Sequence, residues 1–141
     1  MNKITISNNR WAALGALLAM ISVIAGAFGA HLLENKLPDG KLDVYNIAVR
    51  YQMYHALAIL IVSIIEIRRF LLILSFFVLG IFLFSGGLYA YSLSYLFHDY
   101  GYEYFGILAP FGGLSFVLGW LVLSFNLINK KNEGTFNTSS R

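Results

Sequence analysis

Two histidines, an arginine, a glutamine and a group of tyrosines crowd one part of this sequence, and they are its main candidates for chemistry. His31 lies in GAFGAHLLENKL, and Arg50, Tyr51, Gln52, Tyr54 and His55 lie in AVRYQMYHALAIL. Tyr51 and His55 stand four apart and share a helix face, with Gln52 beside them. One use of such a face is interhelical hydrogen bonding, worth roughly 0.6–2 kcal/mol per bond inside a membrane. The other is to line a ligand pocket, since polar clusters within membranes mark functional sites. A metal is the sharper alternative: His31 and Glu34 are three apart, and His55 adds a third nitrogen or oxygen ligand to suit an open zinc site. The spacing matches no zinc motif, and no metal or other cofactor is expected. His98, Asp99 and Glu103 form a weaker group of the same kind. Arg50 is expected to snorkel to headgroups or to pair with Glu34 or Asp43, the alternative being to hold an anionic lipid or solute. Neither Ser85 nor Ser115 has the local partners of a nucleophile, and no phosphate-cradling loop or dinucleotide fingerprint is present. No catalytic residue is assigned.

The elements that must position these residues are apolar helices. The 141 residues leave room for one domain. They are 58% hydrophobic and 12% charged, against about 25% charged in soluble proteins. Only lipid can cover that much apolar surface. The ten Lys and Arg lie at helix ends and not in an aromatic-laced patch, which excludes nucleic acid as a partner. The absence of cysteine removes disulfides, thiolate metal sites and a cysteine nucleophile. Apolar runs predict spans at about 11–33, 47–66, 70–95 and 107–128, after a cytoplasmic segment 1–10 and before a disordered tail 129–141. The fold class is therefore all-α, an integral membrane four-helix bundle. Lys3, Arg10 and Ala25-Gly26-Ala27 imitate a signal peptide with its cleavage site, but the apolar run continues beyond it. Asp39 is expected to cap a second helix that begins before the membrane does. Arg68 and Arg69 mark a short turn, and Pro110 is expected to open the fourth span.

Basic residues set the orientation. The N-terminus, second loop and tail hold Lys3, Arg10, Arg68, Arg69, Lys130, Lys131 and Arg141, against Lys36, Lys41 and Arg50 on the other side. The positive-inside rule then places both termini in the cytoplasm. All nine tyrosines and all three histidines fall toward the outer side. An aromatic belt explains part of this, although belts form at both faces. Gly15/Ala19, Gly26/Ala30, Gly86/Ala90 and Ser115/Gly119 stand four apart, the spacing at which helices approach closely. Gly29 and Gly87 extend the set, and Gly26, Gly29, Gly86 and Gly87 are equally able to leave room for a ligand. The span interiors hold no Asp or Glu, which disfavours proton-coupled transport.

GAFGAHLLENKL, AVRYQMYHALAIL, FSGGLY and PFGG, in that order, resemble the YgdD/YwdK-like family of small four-span bacterial inner-membrane proteins, a domain of unknown function. The resemblance runs from about Trp11 to Asn126. It departs at LPDGKLD, where the family has a Ser-Pro-Glu helix start. It implies a plasma-membrane helical bundle and carries no activity, cofactor or catalytic residue. The expected function is that of a non-enzymatic plasma-membrane protein, either an accessory subunit or one that binds a lipid or a small hydrophobic molecule. Its partners would be membrane lipid, a membrane protein or a second copy of the chain. A transporter or channel subunit with an outward polar pocket, and a membrane-embedded metalloenzyme, remain the alternatives.

Overall fold

In the computed structural model, residues 6–65, 67–97 and 102–136 are described, with side chains for 9–65, 67–97 and 102–129. Among the described residues every regular element is a helix, without a strand. Helix α1 (Ile6–Phe28) runs into a π-helical turn, Gly29–Leu33. Helix α2 spans Lys41–Ile64. The third span is a continuous rod of α3 (Phe70–Gly80), a second π-helical turn (Ile81–Ser85) and α4 (Gly86–Ser94). A single-turn helix, α5 (Glu103–Gly106), leads into α6 (Leu108–Phe136). Four of the resulting segments are long and apolar enough to cross a membrane: Asn9–Leu33, Lys41–Ile64, Phe70–Ser94 and Glu103–Asn129. At 1.5 Å per residue each is about 36–40 Å long, against a hydrocarbon core of about 30 Å.

Turn chemistry decides where the rods break. Gly40 holds φ 76, a left-handed backbone open to glycine, and is itself the N-cap of α2. Asp39 therefore makes no cap bond, contrary to the expectation from its position. Lys41 N–H bonds the Pro38 carbonyl at 3.0 Å instead. Arg69 stands at φ 57 and reverses the chain into α3, its carbonyl accepting from Leu72 and Ile73 N–H. A left-handed arginine costs roughly 1–2 kcal/mol, a cost that a very tight hairpin imposes. Pro110 is the third residue of α6, which opens at Leu108. There its missing N–H belongs to the unpaired first turn.

α1 lies along α2, the third span packs on α2, and α6 packs on the third span. One apolar core, built from Ala58, Ile59, Val62, Ile73, Leu74, Phe77, Ile81, Phe116 and Leu123, joins α2, the third span and α6. Small residues set the spacing. A Cβ on Gly15 would stand 2.8 Å from Leu60 N and 2.9 Å from the Ala56 carbonyl, so α1 and α2 meet backbone to backbone. Gly119 gives way to the Phe77 ring, Gly87 to the Phe105 carbonyl at 2.8 Å, and Gly29 to the Tyr45 ring at 2.9 Å. A Cβ on Gly26 would touch Val49 at 3.4 Å, one on Gly86 would meet only the Ile81 carbonyl at 3.9 Å, and Ala30 is exposed.

Candidate functional site

The candidate residues diverge around α2. Helical geometry puts Arg50, Tyr54, Leu57 and Ile61 on one stripe, Tyr51 and His55 on a second, and Gln52 on a third. The first stripe is exposed along its length. Gln52 and His55 are buried at 4% and 5% exposure. His31 is exposed on the first π-helical turn. No single pocket gathers all six.

Gln52 faces α1. Its amide Nε2 donates to the Leu18 carbonyl at 2.9 Å, one rung of a ladder. Ser22 donates to the Val49 carbonyl at 2.8 Å, and the Tyr45 hydroxyl donates to the Ala25 carbonyl at 3.0 Å. The pairs 18/52, 22/49 and 25/45 advance in antiparallel register, so three polar side chains zip the α1–α2 seam. In hydrocarbon a hydroxyl or amide must bond within the protein, and here each reaches a carbonyl of the neighbouring helix.

His55 faces the third span and α6. Its Nδ1 lies 2.8 Å from the Tyr51 carbonyl, and Trp120 Nε1–H donates to its Nε2 at 3.1 Å. A carbonyl only accepts and an indole N–H only donates. The imidazole is therefore the neutral Nδ1–H tautomer, donating to Tyr51 and accepting from Trp120. Its ring stacks on Phe116 at 3.4 Å between centroids and 8° between planes, with Phe77 at 5.6 Å. Both nitrogens are engaged. Among the described residues no three His, Asp or Glu approach closely enough to hold a metal, and His98 and Asp99 lie outside those residues.

The outward group differs. Tyr51 is 39% and Tyr54 56% exposed, their rings 6.1 Å apart, and Tyr51 packs on Phe84 at 4.5 Å. Arg50 is exposed beside them and, among the described residues, pairs with neither Glu34 nor Asp43. Arg50 stands nine residues, about 14 Å, from the Lys41 end of α2 and fourteen, about 21 Å, from the Ile64 end. Side chains lean toward the helix N-terminus, here the nearer membrane surface.

Sequence reasoning missed Trp120, Phe116 and Ser22. An indole N–H in mid-span needs an acceptor, and that need was the available signal for Trp120. It also missed a second cluster at the same end of the bundle as Arg50. Lys41 Nζ donates to the Tyr91 hydroxyl at 2.6 Å and lies 4.6 and 4.5 Å from the Tyr91 and Tyr95 ring centroids. This cation–π clamp ties the start of α2 to the end of α4.

Residues 25–113 match the family model described as "Protein of unknown function (DUF423)". A UPF0382 membrane protein of Staphylococcus haemolyticus is 43% identical over 115 residues, covering 78% of this chain and 88% of that one. One from Staphylococcus saprophyticus is 44% identical over 115 residues, covering 78% and 89%. The UPF0382 membrane protein YwdK of Bacillus subtilis is 36% identical over 115 residues, again covering 78% and 89%. No solved structure matches the chain.

Proposed function

We propose, from the premise that this chain belongs to the DUF423 family of membrane proteins, that it is a non-enzymatic plasma-membrane protein that binds phospholipid. Arg50 supports this reading most directly. A guanidinium on an exposed stripe shared with Tyr54, Leu57 and Ile61, without a protein counter-charge among the described residues, needs an anion at the membrane rim. A lipid phosphate supplies it, because the planar guanidinium takes two phosphate oxygens at once. Tyr51 and Tyr54 flank the position with amphipathic rings suited to the headgroup layer. With both termini in the cytoplasm, as the basic residues argue, the bound lipid belongs to the outer leaflet.

Proton-coupled transport would fall on His55, whose two nitrogens are both engaged, and zinc chemistry would need His31 and His55 together. Neither alternative has a supporting contact. The test is photo-crosslinking in vesicles with a phospholipid carrying its reactive group near the phosphate. The reading expects label concentrated between Arg50 and Tyr54 and lost in Arg50→Ala. Label spread evenly over the lipid-facing residues of α1 and α6 would contradict it.

A further inference from the structure

The exposed stripe of α2 that carries Arg50 continues toward the Lys41 end of the helix to a charge of the opposite sign. Residues 43, 47, 50, 54, 57 and 61 alternate four and three apart, so they lie along one side of the helix. From the Lys41 end inward the stripe reads Asp43, Ile47, Arg50, Tyr54, Leu57 and Ile61. Ile47 is half-buried and the other five are exposed. The order along the stripe is therefore anion, cation, aromatic ring, aliphatic track.

Neither charge is spent within the protein. Asp43 and Arg50 are two turns, about 10 Å, apart along the helix axis. They do not pair with each other, and neither has another ion-pair partner among the described residues. Lys41 is the cation closest to Asp43 in sequence, but at about 100° per residue it points to the opposite side of α2. There its Nζ donates to the Tyr91 hydroxyl at 2.6 Å and rests on the Tyr91 and Tyr95 rings. The clamp holds Lys41 away and leaves the Asp43 carboxylate without a counter-charge.

We infer that the lipid held at this stripe is an aminophospholipid, its phosphate on Arg50 and its primary ammonium on Asp43. This inference rests on the phospholipid reading above and names the headgroup. A phosphate ester with an amine two carbons away presents a negative and then a positive charge, matching Arg50 and Asp43 in sign and in order. The arginine arm leans toward the helix N-terminus, which turns the guanidinium toward the gap between the two residues. A primary ammonium donates three N–H bonds, and a carboxylate accepts them as charge-assisted bonds. A trimethylammonium headgroup has no such donor. A glycerol headgroup leaves the lipid with a net negative charge facing an unpaired carboxylate. Tyr54, Leu57 and Ile61 continue the stripe inward as a surface for the acyl chain.

The test is a competition on the full chain in detergent. Phosphatidylethanolamine and phosphatidylglycerol with the same acyl chains are offered in equal amounts, and the adducts are counted by native mass spectrometry. The wild type should prefer phosphatidylethanolamine roughly fivefold, because one charge pair at a membrane surface is worth about 1 kcal/mol. Asp43→Asn should bring the ratio near one while the chain still binds phospholipid. Asp43 also lies in the first turn of α2, where a carboxylate favours the helix dipole. Losing that role alone would lower the melting temperature and leave the lipid ratio unchanged, so the ratio is the deciding readout. Equal uptake by the wild type, a preference for phosphatidylglycerol, or a preference that survives Asp43→Asn overturns the headgroup assignment. Phosphatidylcholine taken up as well as phosphatidylethanolamine overturns it too. If Arg50→Ala still abolishes the adducts in any of those cases, the phospholipid reading stands without it. Adducts that survive Arg50→Ala overturn both.

Discussion

Replacing Trp120 with phenylalanine isolates the hydrogen bond that joins α6 to α2. The indole N–H is donated to His55 Nε2 at 3.1 Å, and His55 is only 5% exposed. The substitution therefore strands a buried acceptor, which costs about 1–3 kcal/mol. Little packing is lost with it, because Trp120 is 45% exposed and a phenyl ring retains the contact with Phe77, whose ring lies at 5.1 Å. At about 2–4 °C per kcal/mol for a chain of this size, the melting temperature should fall by several degrees. His55→Phe removes the stranded acceptor, and an apolar ring can keep the stack on Phe116. The double variant Trp120→Phe/His55→Phe should then lose less than the sum of the two singles, with a coupling of about 1 kcal/mol. The assay is thermal unfolding in detergent followed by circular dichroism, run as a double-mutant cycle. Additive losses, or a Trp120→Phe variant as stable as the wild type, would refute the latch and with it the assignment of the His55 tautomer.

Two further outcomes follow from the α1–α2 seam. Gly15→Ala should destabilise by about 1–3 kcal/mol, because the new methyl would meet the Leu60 and Ala56 backbone and no side chain is there to move; unchanged stability in thermal unfolding would mean the helices do not touch there. Ser22→Ala and Tyr45→Phe should each cost about 0.6–2 kcal/mol. Together they should loosen α1 enough to be seen as faster proteolysis near its end, whereas a protease pattern identical to the wild type would contradict the ladder.

The fold was legible wherever it depends on one residue's own chemistry. Apolar runs bounded by Arg10, by Pro38-Asp39-Gly40 and by Arg68-Arg69 mark where chain can and cannot lie in lipid, so four spans follow without tertiary knowledge. Gly15 and Gly119 were legible for the same reason, since small residues four apart announce a close approach. Gly80 and Gly112 were not. They lie against the Phe116 ring and the Phe84 backbone, and only the register of the third span on α6 shows that a phenylalanine needs the space. The candidate cluster was legible as residue types and illegible as directions. Gln52 and His55 adjoin Arg50 and Tyr54 in sequence, yet helical rotation sends the first pair into the protein and the second toward lipid. His55 meets its Trp120 partner 65 residues away, a distance that no local pattern spans. Neither π-helical turn has a sequence signature. The one at Ile81–Ser85 is defined by its backbone, with the Gly86 N–H bonding the Ile81 carbonyl five residues back.

The division of α2 into a lipid-facing stripe and an inward polar seam is tested most directly by native mass spectrometry of protein extracted gently from its own membrane. The wild type should carry a phospholipid adduct, Arg50→Ala should lose it, and Gln52→Leu should keep it while melting at a lower temperature. An adduct that survives Arg50→Ala and disappears in Gln52→Leu would place the ligand inside the bundle and overturn the assignment.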